Sequence, residues 1–271
     1  MLLVPRPAAA DTPWLTVSED GYASFTVPMA AVEAAVGPVS QVVIEGNIGP
    51  SSTWAEFGLT RRGDAWSGVL GPLKPGLYSY RVTGEPYPVL FLQPGDGVSA
   101  TDWLDLGRAR QIFDHHFLDG NLVPMVVVMG DGNVSDFNKE LLENLAPAAR
   151  EHYNVSSDPS RQALAGLSMG GGQTFGMLKA NPGRFAYVAA FSAGFGSGAG
   201  VDAQAINDGT RLLRLYVGDR TDFVYPSFMA SLDTLNTLGI RYEFDGVTPG
   251  PHGWDEWQKN LIDLAPRLFK R

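Results

Sequence analysis

The hydrophobic pattern of this chain changes period near Gly84. Up to that point apolar positions come in short alternating runs: Tyr22 to Val27, Val39 to Glu45, Trp54 to Leu59, Ala65 to Leu70 and Leu77 to Val82. Turn residues such as Arg62-Gly63-Asp64 and Lys74-Pro75-Gly76 separate them. Alternation at period two with turns at this spacing predicts a small all-β sandwich over residues 1–84. Trp54 and Trp66, one to a short strand, read as sandwich core ahead of a sugar-stacking platform. Beyond Gly84 the apolar runs become continuous: Pro88 to Leu92, Met125 to Met129, Ala163 to Ala165, Tyr187 to Phe191, Leu212 to Val217 and Tyr242 to Val247. Helical patterns lie among them, over Gln111 to Phe117, Phe137 to Glu151 with a break expected at Pro147, Gln173 to Lys179, Pro226 to Leu238 and Asp255 to Leu268. Continuous apolar strands alternating with amphipathic helices predict a mostly parallel sheet covered on both faces, an α/β domain over residues 85–271.

One segment of this second pattern carries chemistry. Gly166-Leu167-Ser168-Met169-Gly170-Gly171 sits between a predicted strand and a predicted helix. Strand, Gly-x-Ser-x-Gly, helix is the context of a nucleophile elbow, a sharp turn that projects a serine hydroxyl above the sheet beside a helix N-terminus. A serine needs a base, and the base needs an orienting group. Of the four histidines, His115 and His116 are sequence neighbours on a helix and point to different faces, which makes them a poor metal pair. His152 falls at a charged helix end. His252 lies in the Gly- and Pro-rich loop Thr248 to Trp254, between a strand-like run and the last helix, where a loop residue is held in place. The acid follows the run ending at Val217: Asp222 is preferred, with Asp219 as the alternative. The order Ser168, Asp222, His252 is that of α/β-hydrolases and not of chymotrypsin or subtilisin.

Composition narrows the remaining classes. A net charge of −9 and a pI near 4.9 argue against nucleic acid or an anionic membrane as the main partner. The absence of cysteine excludes disulfides and thiolate chemistry. No His-Glu-x-x-His pattern supports zinc, and the serine mechanism requires neither metal nor cofactor. Met1 to Ala10 ends like a signal cleavage site but has no basic leader, and no stretch is long enough to span a bilayer, so secreted and cytoplasmic locations both stay open.

The stretches Tyr87 to Leu92, Pro124 to Met129, Ala165 to Gly171 and His252-Gly253-Trp254 resemble the esterase D-like branch of the α/β-hydrolases, the group of feruloyl and acetyl-xylan esterases, enterochelin esterases and mycolyltransferases. Gly63 to Gly68 and Pro75 to Val82 resemble the immunoglobulin-like early-set module often fused ahead of such esterases. The resemblance implies Ser168 as nucleophile, His252 as base and Asp222 as acid, with an oxyanion hole from the backbone N–H groups of Met169, Gly95 and Asp96. Trp103, Phe223 and Trp254 are candidates for an aromatic acyl pocket, with core packing the more expected role for at least one of them, and Asp131 and Asn133 are substrate-pocket candidates at the site end of the sheet, with turn formation as the competing role. Two departures stand out. The family's His-Gly pair after the strand ending at Leu92 is replaced by Gln93-Pro94-Gly95-Asp96-Gly97, where an inward carboxylate at Asp96 would oppose a developing oxyanion. Only Thr83 to Pro86 separate the two patterns, where relatives carry further strands, so the expectation is either a trimmed sheet with an exposed edge or residues missing between the two patterns. The expected activity is hydrolysis of acyl esters, including feruloyl or acetyl esters of polysaccharides. The alternatives are an acyltransferase on the same triad and a weakened hydrolase that binds glycans.

Overall fold

The computed structural model describes residues 15–17, 23–28, 30, 42–46, 55–70, 80–82 and 86–270. The chain divides into two compact units, Met1–Pro86 and Tyr87–Arg271. Trp54, the opening residues and the short segment from Thr83 to Glu85 lie outside the described residues.

The first unit is antiparallel throughout. Its strands β1 (Leu15–Val17), β2 (Ala23–Pro28), β3 (Val42–Gly46), β4 (Ala55–Arg62), β5 (Ala65–Leu70) and β6 (Tyr80–Val82) are ordered β1-β2-β5-β4-β3-β6. β4 changes partner along its length: Ala55 to Leu59 pair with β3, and Thr60 to Arg62 pair with β5. The β4–β5 hairpin closes through Gly63-Asp64. Gly63 has φ 60°, the conformation a tight hairpin needs at its first central residue and one a side chain disfavours.

The second unit holds five strands, β7 (Val89–Gln93), β8 (Val126–Val128), β9 (Gln162–Leu167), β10 (Tyr187–Phe191) and β11 (Leu212–Tyr216). They pair in parallel in the order β11-β10-β9-β7-β8. β7, β9, β10 and β11 are buried along their whole length, which is why their sequences read as unbroken apolar runs. β8 is half-buried and forms one edge among the described residues.

Helices α1 (Asp102–Asp105) and α2 (Ala109–Leu118) follow β7. A longer helix, α3, follows β8 in three joined segments, Phe137–Lys139, Glu140–Leu145 and Ala146–His152. The expected break at Pro147 does not occur: the middle segment widens to a π-turn, with Ala146 N donating to Leu141 O, so the helix passes the proline without losing its path. Then come α4 (Met169–Ala180), α5 (Ala203–Gly209), α6 (Tyr225–Leu238) and α7 (Trp254–Leu264). The strand expected over Tyr242 to Val247 is reduced to a single bridge, Glu243 to Arg214, followed by one bond from Thr248 N to Val217 O. Gly246 at φ 105° turns the chain out of extended geometry between those two contacts.

Candidate active site

All five parallel strands deliver their C-terminal ends to one rim of the sheet, the position at which open α/β sheets place ligands. Ser168 leaves β9, Gln93-Pro94-Gly95 leave β7, Asp131 and Asn133 follow β8, Ser192 leaves β10, and Gly218 to Asp222 follow β11. Ser168 has φ 51° and ψ −117°, a strained conformation for a residue with a side chain. The turn is tight because Gly166 and Gly170 touch: a Cβ on Gly166 would collide with the Gly170 backbone. Ser168 occupies the N-cap position of α4 but does not cap it, which leaves its hydroxyl available. The His252 Nε2 lies 2.9 Å from that hydroxyl oxygen, and His252 Nδ1 lies 2.9 Å from Asp222 Oδ1.

The structure brings Asp222, not Asp219, to the imidazole. Asp219 instead fixes the loops that carry the other two. Its Oδ1 accepts from Thr221 N and Thr221 Oγ1, its Oδ2 accepts from Gly250 N, and its own N–H donates to Gly250 O. Asp222 is fully buried. Burial alone would raise its pKa, but hydrogen bonds from Ser192, Val224 N–H, His252 and Gly218 N–H outweigh it and hold the carboxyl below its ordinary range.

The loop after β7 lies directly against the elbow. A Cβ on Gly95 would stand 2.8 Å from Leu167 Cδ1 and 3.4 Å from Ser168 Cβ, so glycine is what permits this approach. Met169 opens α4, where first-turn N–H groups lack helical acceptors and face outward. Pro94 and Gly95 are buried, whereas Asp96 is exposed, so water screens the charge that the sequence set against the oxyanion. Asn133 stitches this loop: its Oδ1 accepts from Gly97 N, and its Nδ2 donates to Val98 O and to Asp131 Oδ1. Asp131 also accepts from Asn133 N, and these bonds hold its pKa down. The pair therefore braces the loop from outside.

The three aromatic candidates separate. Phe223 is 74% exposed, with its ring centroid 4.2 Å from that of His252. Trp254 is half-buried. Trp103 is wholly buried and lines no open surface, a correction to its expected pocket role. Its Nε1 donates to Gln93 O, and its ring packs edge-on to Phe191 and Trp254, so it anchors the base of the loop after β7.

Sequence reasoning missed a polar cluster behind Asp222. Ser192, Glu256 and Asn260 are all buried. Ser192 Oγ donates to Glu256 Oε2 at 2.8 Å, Trp257 Nε1 donates to Ser192 Oγ at 3.2 Å, and Asn260 Nδ2 donates to Glu256 Oε1. Burial pushes the Glu256 carboxyl up to about 7, against the opposing hydrogen bonds of Ser192 and Asn260. The available signal was a Glu and an Asn four residues apart on the apolar face of the last helix, where Trp257 and Leu261 also sit.

Comparison with known proteins agrees with this architecture. Residues 75–199 match the family described as putative esterase. Over 199 residues the chain is 30% identical to an endo-1,4-beta-xylanase/feruloyl esterase of Xylanibacter ruminicola, a match covering 69% of this chain and 27% of that protein. The chain thus spans about a quarter of that relative's length. Among solved structures, the feruloyl esterase module of Clostridium thermocellum complexed with sinapinate superimposes with a TM-score of 0.57 at 20% identity, covering 68% of this chain and 77% of that one. A ferulic acid esterase of Anaeromyces mucronatus in complex with ferulic acid superimposes with a TM-score of 0.60 at 16% identity, covering 94% of this chain and 98% of that one. Sheet order, elbow and neighbours together assign the second unit the α/β-hydrolase fold, with residues 75–199 matching the putative esterase family.

Proposed function

We propose that the second unit is a serine carboxylesterase that hydrolyses acyl esters, with feruloyl or acetyl esters of plant polysaccharides as the substrate class. The observation that carries this reading is the unbroken run from Ser168 Oγ through His252 to Asp222, with both contacts at 2.9 Å. In this mechanism His252 Nε2 takes the Ser168 proton as the oxygen attacks the ester carbonyl. Asp222 holds the ring by Nδ1 and balances its charge. The N–H groups of Met169, Gly95 and Asp96 receive the oxyanion, and His252 returns the proton to the leaving alcohol. Water, activated by the same ring, then releases the acyl group. The substrate class rests on the feruloyl esterase relatives, and Phe223 beside the imidazole suits a flat aromatic acyl group. The first unit we read as an immunoglobulin-like module over residues 1–84, preceding a hydrolase domain over 85–271, supported by its antiparallel strand order.

The test is a fluorophosphonate probe with methyl ferulate and p-nitrophenyl acetate as substrates. Wild type is expected to label at Ser168 and to turn over at least one ester. Ser168→Ala should remove both, lowering kcat/KM by about 10⁴-fold or more with an unchanged melting profile. A folded wild type that neither labels nor turns over any ester overturns the esterase reading.

A further inference from the structure

Asp222 and Glu256 are two buried carboxyls served by one hydroxyl. Ser192 Oγ lies 2.8 Å from Glu256 Oε2, and the same hydroxyl is among the groups that hold Asp222 low. A serine has a single proton, so it donates to only one of the two at a time. The surrounding bonds fix which state goes with which direction. Thr248 Oγ1 donates to Asn260 Oδ1, so Asn260 offers its amide N–H to Glu256 Oε1. That leaves Oε2 as the oxygen to carry a proton when Glu256 is neutral, and it faces Ser192. With Glu256 neutral, Ser192 accepts from Oε2–H and from Trp257 Nε1, which fills both lone pairs and turns its own proton to Asp222. With Glu256 ionised, the Ser192 proton returns to Oε2, and Asp222 loses a donor.

We propose that Glu256 is a positioning residue for the candidate triad: through Ser192 it sets how strongly Asp222 accepts from His252. This rests on the esterase reading of Ser168, His252 and Asp222, but concerns residues outside that triad. Ser192 is itself held at φ 46°, a strained conformation for a residue with a side chain. The charged and titratable groups around Glu256 come from four elements. Asp222 on the loop after β11 disfavours its ionisation. Lys259 on its own helix favours it, while donating to Pro249 O. His252 on the preceding loop packs against Trp257. His116 of α2 meets α7 at Ile262 O, beyond Asn260. Among the described residues no cation bonds Glu256 directly, and burial raises its pKa to about 7, so the change of direction falls near neutral pH.

The consequence is a coupled pH profile. Above the Glu256 midpoint Asp222 is the stronger acceptor, so the base is more effective on the alkaline plateau. Glu256→Gln keeps an N–H toward Ser192 and so mimics the neutral acid at every pH. Its profile should meet that of wild type below the Glu256 midpoint and run about threefold slower on the plateau. Ser192→Ala keeps the acid but cuts the link, and should lose the inflection near pH 7. The rates to follow are fluorophosphonate labelling of Ser168 and hydrolysis of p-nitrophenyl acetate, with the full chain from pH 5 to pH 9.

A second reading needs no turnover. The low-field proton signal of the His252–Asp222 hydrogen bond should move with a midpoint near pH 7 in wild type and lose that step in Glu256→Gln. Profiles that meet at acid pH and separate above the Glu256 midpoint, together with a moving signal, support the inference. Profiles that differ only by a constant factor, or a Ser192→Ala profile identical to wild type, overturn it. If wild type neither labels nor turns over ester, the esterase reading fails by itself, and the proton signal alone then decides for or against the link.

Discussion

The helix Trp254–Leu264 carries a carboxylate network near each end, and the two are built on opposite rules. Near its start, Glu256 is buried among Ser192, Trp257 and Asn260, with no cation bonded to it among the described residues. Near its end, Asp263 accepts from Arg214, Tyr216 and Arg267, and Arg214 also reaches Asp245 and Glu243. Burial alone would raise both acids. At Asp263 the bonds from Arg267 and Tyr216 and the charge of Arg214 reverse this and hold the carboxyl low, whereas at Glu256 neutral donors only moderate it. The cationic network ties the last helix to β11 and to the segment after Phe244. The neutral one holds an acid whose pKa burial raises to about 7, and it lies beside the candidate triad. A paired charge is a fixed structural part; an unpaired buried acid is adjustable.

The largest expected effect sharpens the functional side of this contrast. Asp222→Asn should lower kcat/KM by about 10⁴-fold, because an amide presents the wrong partner to His252 Nδ1. Asp219→Asn, which leaves the ring's partner in place, should retain most activity. Steady-state kinetics on p-nitrophenyl acetate distinguishes the two, and equal losses would break the assignment of the acid.

Next comes the structural side. Arg214→Met removes a cation whose side chain is 4% exposed and leaves Asp263, Asp245 and Glu243 without it. A loss of about 3 kcal/mol is expected, at the low end for a broken buried pair because those acids partly reach water. Urea unfolding measures this, and activity per folded molecule should stay at the wild-type level. A large catalytic loss would erase the distinction between the networks.

Glu256→Gln tests the adjustable side through stability. The folded pKa of about 7 lies above the ordinary 4.5, so between those values the folded state binds more protons than the unfolded. Stability therefore falls as pH rises through that window, and the contribution is fully present only below it. The Gln variant lacks this dependence and should exceed wild type at pH 8 by up to about 3 kcal/mol, with the gap closing by pH 4. Chemical unfolding at the two pH values measures it; a gap that stays constant would mean that Glu256 is not held neutral. The smallest effect is expected at Asp96→Asn, under about twofold in kcat/KM at 0.15 M salt, because this side chain is exposed. A gain of tenfold or more would place the carboxylate inside the oxyanion environment after all.

Much of this architecture was legible in the chain because it is local. The parallel strands announced themselves as continuous apolar runs, and Tyr187 to Phe191 matched residue for residue. Ser168 was marked by its glycines and His252 by its rigid loop. Other readings failed where a local rule met a tertiary one. Pro147 was expected to break a helix, but a π-turn absorbs it. Of the three pocket aromatics, at least one of which was expected in the core, Trp103 is the buried one, its indole N–H committed to Gln93 O. Tyr242 to Val247 read as a strand, but Gly246 turns it aside after one bridge.

What the sequence alone determined, then, is which residue types stand at the ends of buried strands, because periodicity and turn chemistry act over a few neighbours. Only the tertiary structure decided which of Asp219 and Asp222 meets the imidazole, since both leave the same strand and the choice depends on how one loop folds against Gly250. It alone joined Ser192 to Glu256, 64 positions apart, and so placed a second acid behind the first. Hydrogen-bond direction in a buried cluster depends on every donor and acceptor present, and that count exists only once the strands and the last helix have packed together.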